Sequence, residues 1–570
     1  MNAAISKFVP YLRAPGHVPD RNLAILSSKN NSFAQSLMNE LCQLQPAWHC
    51  DLLDGSDAPF ATIADNATTS FVYVPSTTRD GMRPDLNEAK RTLDRTPFPR
   101  GSQLVLLSSA LIYGTGPGRP GLVSEEYVPS RNGEGRIPEE WHQLESLARD
   151  HLDLVAVLTV LRPAIVLARP DLFSRLLSHR MALSLPGHDP VLQFLSLSDL
   201  ATAMICVMKA QKPGTFNVAP DGVMPLHQAI KLNGSNRLPV PRTIRRVARA
   251  SEVLDFFRYS WTISNSKVKE QLGFAPEKSS AAALREFQRG NRDVAQPEPE
   301  FDKFGMDKSY IRFYGKSLFK FLSEYYWRIE DKGLEHIPRQ GPGILVGMHR
   351  GFMPWDGVMA LHTIVKKTGR FPRFLTHPGL LKFPFLANFM TKLGGVVACQ
   401  ESAKRILENN ELVGIFPEGI HGAFTPYPQA YKLQAFGRDA FVKLALRHRA
   451  PIVPFVTVGS AEIFPIFGKI KSRLWSRYSG WPFIPITPTF PFFPVPLPSK
   501  WHTQFLPPIS VEKYPPEAAE DRAVVRAISR EVRTRMQHAV DYMLSQRRSI
   551  YFGSIFERRP DESPNKPTAV

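Results

Sequence analysis

Short apolar runs at residues 23–26, 71–74, 104–107 and 155–161 punctuate the first half of the chain. Runs of this length, bounded by polar and turn-forming segments, predict strands buried on both faces of a parallel sheet. Helical stretches such as residues 34–44 lie between them, and the alternation predicts an open, doubly wound α/β sheet. Periodicity lapses at residues 288–301, QRGNRDVAQPEPEF, where proline and charge gather, so a linker is expected there. The expected division is a first domain over 20–288, a linker over 289–306 and a second α/β domain over 307–550, with no internal repeat between the halves.

The second half opens with a predicted helix over residues 308–327. Lys308, Arg312, Lys316 and Lys320 recur every four residues, while Tyr314, Leu318, Phe321, Leu322 and Tyr325 line another face. A basic amphipathic helix with aromatic residues suits the plane of a membrane interface; the plainer reading is a surface helix packed on its own domain. Residues 481–499 hold seven prolines among Trp481, Phe483, Phe490, Phe492 and Phe493, which predicts a stiff apolar loop, packed or lying on lipid. A long helix is expected over 517–546, with Val524, Ile528, Val532, Met536 and Val540 at four-residue spacing, and a disordered tail over 557–570.

Composition narrows the field. The chain has 570 residues, too many for one ordinary domain. Its 43% hydrophobic and 22% charged residues are those of a globular protein. No run of eighteen uncharged apolar residues predicts a spanning helix, and the first residues lack an apolar core of signal-peptide length. Four cysteines (Cys42, Cys50, Cys206, Cys399) without metal spacing imply no metal site and a reducing interior. Residues 1–300 hold 33 basic and 30 acidic residues, a net of +3; residues 301–570 hold 38 and 22, a net of +16. That asymmetry favours anionic partners such as membrane headgroups or acyl-CoA, and places the expected protein in the cytoplasm, peripheral on the inner face of the cell membrane. Nucleic acid is not expected, since no recognition motif accompanies the charge.

Two clusters carry the chemistry of the second half. The first, GMHRGFMPWDG, follows the apolar segment 343–346 and contains His349 and Asp356. On one continuous helix the two would lie ~10 Å apart, but the stretch 351–354 lets the chain fold so that the carboxylate reaches the imidazole. An Asp on one ring nitrogen leaves the other free to take a proton from a hydroxyl. The second, LVGIFPEGIHG, ends an apolar strand in a turn presenting Pro417, Glu418, Gly419 and His421, at the strand end where open sheets place ligands. A third segment, APIVPFVTVG, predicts a buried strand.

Together, in this order, the His–Asp block, FPEG and PIVP resemble the glycerolipid and lysophospholipid acyltransferase family over about residues 307–510. The resemblance implies that His349 is the general base, that Asp356 orients it, and that Glu418, with Pro417, Gly419 and His421, binds the acceptor. It implies acyl-CoA or acyl carrier protein as donor and no metal. Six residues separate His349 from Asp356 instead of the family's common four, which resembles the monoacylglycerol and diacylglycerol acyltransferase-like branch. The family's arginines are replaced by His421 and, in GGVVACQES, by Cys399 and Gln400. Both losses point away from an acceptor carrying a phosphate monoester, unless Lys404, Arg405, Lys432 or Arg438 substitutes.

In the first half, LVLLSSALIYG, VLRP, FLSLSDLA and GTFNVA resemble, in order, the extended short-chain dehydrogenases and sugar-nucleotide epimerases over about residues 20–290. The resemblance implies a Rossmann-like fold. A dinucleotide needs glycines in the first strand-to-helix turn, yet ILSSKNNSFAQ has none. Trp141 and Glu145 stand where the family's catalytic Tyr and Lys are expected, and neither relays a proton as they do. Ser109 and Tyr113 are the remnants of a cofactor site, and NAD(P) binding is not expected. The resulting expectation is a degenerate Rossmann domain fused to a membrane-associated O-acyltransferase. The alternatives are a bifunctional lipid enzyme with an active oxidoreductase or epimerase domain, and a catalytically dead membrane scaffold.

Overall fold

Six parallel strands form the sheet of the first half: β1 (Arg21–Leu26), β2 (Trp48–Leu53), β3 (Thr69–Tyr73), β4 (Gln103–Leu107), β5 (Val157–Pro163) and β6 (Gly214–Val218). They lie in the order β2-β1-β3-β4-β5-β6, which reverses between β1 and β3 as a doubly wound sheet requires. All five positions of β4 are buried, the mark of a strand covered on both faces. Helix α1 (Ser32–Leu44) packs Phe33, Ala34, Leu37 and Leu41 on this sheet. It is capped by Asn31, whose Oδ1 accepts the Ala34 amide at 3.3 Å, the usual device for an otherwise orphaned first-turn donor. Helix α2 (Arg136–Arg149) covers the other face through Ile137, Trp141, Leu144 and Ala148. The computed structural model describes residues 21–54, 69–127, 135–239, 251–289 and 301–556, apart from residues 29, 97, 100, 152–154, 180, 384, 438, 480, 482 and 490–494.

The second half has its own seven-stranded sheet. In chain order its strands are β7 (Glu330–Lys332), β8 (Gly343–Gly347), β9 (Arg373–Thr376), β10 (Val396–Val397), β11 (Leu412–Ile415), β12 (Ile452–Val458) and β15 (His502–Phe505); in space the order is β7-β15-β12-β8-β11-β9-β10. Among the described pairings of this sheet, only β12–β15 is antiparallel. The PIVP segment is central strand β12, buried at all seven positions. Strands β13 (Gly468–Lys471) and β14 (Phe483–Ile486) form a separate antiparallel hairpin.

Several expectations shift. The helix over 308–327 is broken: α3 (Lys308–Lys316) stops at Ser317, whose φ of −116° and ψ of −97° leave the helical region, and the chain resumes as a π-turn over Phe321–Tyr326. Leu322 is buried, whereas Phe313, Leu318, Phe321 and Tyr325 face outward. Helix α4 (Trp355–Thr368) begins just after Pro354 and carries Asp356 in its first turn. The last helix, α5 (Arg522–Gln546), starts later than expected because Pro516–Glu520 forms a 3-10 turn and Asp521 caps the helix at the Ala523 amide, 2.8 Å away. It buries Val525, Ile528, Val532, Met536 and Val540 against β12. Each such side chain is worth about 1.5–3 kcal/mol relative to exposure. Residues 483–486 form strand β14 where a loop was expected, and Trp481 is buried.

Residues 301–306, inside the expected linker, are packed. Phe304 and Met306 are buried, and Arg373 pairs with Asp302 and Glu411 beneath the Phe304 ring. The rest of the linker, 290–300, and the tail, 557–570, lie outside the described residues. The two halves touch closely: Gly305 has φ of +87°, and a Cβ there would meet the Val191 side chain at 2.6 Å, so only glycine suits the position. The Phe385 amide donates to the Gly187 carbonyl at 2.6 Å, and Arg405 donates to Ser264 at 2.9 Å. No helix among the described residues is long and apolar enough to cross a membrane.

Candidate active site

Strand β8 delivers His349 at its C-terminal end, where open α/β sheets place ligands. The chain then turns sharply through Gly351 (φ +74°) and Phe352 (φ +39°). That left-handed conformation is strained for a phenylalanine. The turn brings Asp356 back onto His349. The Nδ1–H of His349 donates to Asp356, with Oδ1 and Oδ2 both at 2.9 Å, and the Arg350 amide donates to Oδ2 at 2.8 Å. Asp356 is buried, so its carboxylate fixes the ring without competing for a substrate. Nε2 has no partner among the described residues and carries the lone pair that can accept a proton.

His349 faces an apolar cavity of about 180 Å³. Phe352, Val358, Leu361, Phe374, Phe424 and Trp481 form much of its wall, and His377 and Thr376 supply rare polar groups. Burial lowers the His377 pKa, with Lys382 adding to the effect, so that ring is neutral near pH 7. Among the described residues, no Asp, Glu, Lys or Arg lines this cavity.

Glu418 departs from its expected place. It is buried and absent from the cavity wall, and Arg350 holds both its oxygens at 2.7 and 3.1 Å. The Gln434 amide donates to Oε1 at 2.5 Å. The turn that seats it is tight: a Cβ on Gly422 would meet the Glu418 Cβ at 2.7 Å. Gly419 does line the cavity, Pro417 accepts the Gly437 amide, and His421 is exposed and off the cavity wall. Arg350, also buried, donates further to the carbonyls of His349, Ala430 and Lys432. It escaped notice in the sequence, although an arginine between His349 and Gly351 in an apolar stretch was a usable signal. The candidate substitutes for the missing arginines lie elsewhere. Lys404 pairs with Glu408, Arg405 with Glu401 and Ser264, and Lys432 is exposed; Arg438 lies outside the described residues.

In the first half, the turn after β1 is held by its own side chains. Ser27 donates to the Val74 carbonyl at 2.8 Å, and Asn31 donates to Ser27 at 2.9 Å, knitting the glycine-free turn; Lys29 lies outside the described residues. Glu145 is fully buried and pairs with Arg162 at 2.7 Å, while Ser108 donates to it at 2.8 Å. Trp141 donates to the Met82 carbonyl and stacks under Arg169. Ser109 caps the short turn leading to Tyr113, whose hydroxyl donates to Asn217 and accepts from Arg162. Burial raises the Tyr113 pKa, against the pull of Arg162. A cavity of about 20 Å³ lies beside Ser109 and Arg169.

The acyltransferase family model matches residues 328–458, the stretch that holds the His349–Asp356 pair and strands β7 to β12, so the second half carries an acyltransferase domain. The chain belongs to the same family as uncharacterized protein Rv0502 of Mycobacterium tuberculosis, with which it is 37% identical over 259 residues, 44% of this chain and 72% of that protein. Uncharacterized protein ML2427 of Mycobacterium leprae is 36% identical over the same length, covering 70% of that protein. More distantly, a Bos taurus protein described as a DGAT1/2-independent enzyme synthesizing storage lipids is 26% identical over 163 residues, 28% of this chain and 48% of its own. Among solved structures, MoeE5 in complex with UDP-glucuronic acid and NAD is 14% identical, with a TM-score of 0.36, covering 48% of this chain and 100% of its own. UDP-glucuronic acid 4-epimerase from Bacillus cereus is 12% identical, with a TM-score of 0.36, covering 47% and 99%. The fold of the first half rests on its own strand order.

Proposed function

We propose that the protein moves a fatty acyl group from a thioester donor, acyl-CoA or acyl carrier protein, to the hydroxyl of a glycerolipid or other lipid alcohol at a membrane surface. The observation that carries this reading is the His349–Asp356 pair opening onto a cavity without a charged side chain among its described residues. Nε2 of His349 takes the hydroxyl proton as the oxygen bonds to the thioester carbon; the C–S bond then breaks, and the proton passes to the leaving thiolate. Asp356 holds the ring and balances the imidazolium. An uncharged cavity disfavours a phosphate monoester at the acceptor carbon, so a neutral acceptor such as diacylglycerol is preferred. Glu418, engaged by Arg350, braces the site instead of binding the acceptor. The first half is read as acting without a dinucleotide, a reading supported by the glycine-free turn after β1 and by the burial of Glu145 against Arg162.

The test is acyl transfer on liposomes with labelled acyl-CoA and a panel of acceptors. His349→Ala should abolish transfer, and Asp356→Asn should lower kcat by about 10²–10⁴-fold, the usual worth of an oriented acid–base group. Full activity in folded His349→Ala would sink the mechanism.

A further inference from the structure

Arg119 lies in the loop that follows Tyr113, where the first half meets the second. Its side chain borders a cavity of about 80 Å³ closed by Phe304, Asn388 and Thr391 from the second half and Ser260 from the first. Only 6% of Arg119 is exposed, yet none of its three guanidinium nitrogens has a hydrogen-bond partner among the described residues. A buried cation without a counter-ion is costly, and proteins ordinarily pair it. Arg162 and Arg350 in this chain do have carboxylate partners.

The other charged groups facing the cavity are already engaged. Asp189 accepts the His227 amide at 2.8 Å and has the Lys392 ammonium 3.7 Å away; Arg258 pairs with Asp255 at 2.6 Å. The larger polar cleft between the halves differs in kind, because Lys404 and Arg405 there are paired with Glu408 and Glu401. Around Arg119 the walls are mostly apolar, with one amide (Asn388) and three hydroxyls (Tyr259, Ser260 and Thr391) besides Asp189 and Arg258, and the Tyr113 ring lies 5.6 Å from the guanidinium. Burial pulls the Arg119 pKa down to about 10, which leaves it charged at neutral pH. Gly395 borders both this cavity and the one His349 faces.

We propose that the cavity around Arg119 binds a phosphate ester, that of the phosphopantetheine arm shared by CoA and acyl carrier protein. This rests on the reading of the second half as a thioester-dependent transferase. A guanidinium fork matches phosphate oxygens, the arm is a chain of amides and apolar carbons, and its far end must reach the cavity at His349. The first half, without a dinucleotide of its own, then supplies the cation for its neighbour's donor.

The experiment compares wild type with Arg119→Met and Arg119→Lys on S-acyl 4′-phosphopantetheine and on the matching S-acyl pantetheine, which differs only in lacking the phosphate. Wild type should prefer the phosphorylated donor. In Arg119→Met that preference in kcat/KM should fall by about 10–100-fold, mostly through KM, with partial return in Arg119→Lys. An equal loss on both donors, or none, overturns the proposal. Binding of CoA, 4′-phosphopantetheine and inorganic phosphate, followed by calorimetry, separates this site from the transfer reaction. Arg119-dependent CoA binding by a protein that transfers nothing upholds the site and removes the function. Binding of inorganic phosphate alone, or CoA binding unchanged in Arg119→Met, overturns the site. Without ligand, Arg119→Met should melt at a higher temperature than wild type, since it removes an unpaired buried charge.

Discussion

The Arg350 guanidinium and the Glu418 carboxylate meet at 2.7 and 3.1 Å, with side chains no more than 1% exposed, and tie the two motifs of the second half into one unit. Arg350 also holds the His349 carbonyl at 2.7 Å, so the pair sets the backbone from which the imidazole projects. Breaking such a pair strands a buried charge. Arg350→Met and Glu418→Ala should each cost about 3–5 kcal/mol of stability. The double variant Arg350→Met/Glu418→Leu should regain part of that stability in urea unfolding but not the transfer rate. Loss of rate in Glu418→Gln at an unchanged unfolding midpoint would instead return Glu418 to acceptor binding.

Leu361 stands on α4 and faces the cavity beside Val358 and Phe374. Leu361→Trp adds bulk where an acyl chain would lie, and each methylene excluded forfeits about 0.8 kcal/mol. Activity on long-chain donors should fall at least tenfold relative to medium-chain ones in a chain-length series. A uniform fall across the series would mean that this wall does not hold the acyl group.

The sequence was most legible where physics is local. Apolar runs became β3, β4 and β5 because nothing but burial explains them. The His349–Asp356 pairing was legible because residues 351–354 had to fold for the two to meet. Tertiary partners were not. Glu418 reads as a site carboxylate in FPEG, and nothing local in the sequence announces the arginine that meets it across 68 residues. The break at Ser317 is equally invisible, since a four-residue basic stripe continues across it.

His362 gives the second half an acid sensitivity. Burial pushes its pKa down to about 4, Lys366 adding to the shift and Glu324 opposing it. His502 is lowered to about 4 as well, chiefly by burial. In the unfolded chain both titrate near the ordinary value of about 6.5. Between pH 6.5 and 4 the unfolded form therefore holds protons that the folded form does not, and stability falls as pH drops through that window. Above pH 6.5 these groups contribute no slope. Thermal midpoints should decline from pH 6.5 to 4, and His362→Leu should make the decline shallower by up to about one proton per molecule. An unchanged slope would mean that His362 is protonated in the fold.

The β13–β14 hairpin is the surface on which membrane attachment can be tested apart from chemistry. Phe467, Ile470, Leu474 and Ile486 are exposed on it and on the helix it encloses, with Leu474 at 80%. Lys469, Lys471 and Arg473 alternate with them, and Lys469 lies over the Phe483 ring. Apolar side chains between cations suit the boundary between headgroups and acyl chains, where each basic residue adds about 1 kcal/mol on anionic lipid. The hairpin also leads to the active-site cavity, because Trp481, just before β14, forms part of its wall. Docking through this hairpin would set the cavity beside the bilayer that holds a lipid acceptor. Ile470→Ser/Leu474→Ser removes two insertions of about 1 kcal/mol each for partly buried side chains, so binding to anionic vesicles should weaken by about 10–30-fold while unfolding is unchanged. The matching change on the other exposed face, Phe321→Ser/Tyr325→Ser, separates two modes of attachment. If it alone releases the protein from vesicles, attachment runs through the segment after α3, and the hairpin plays no part in it.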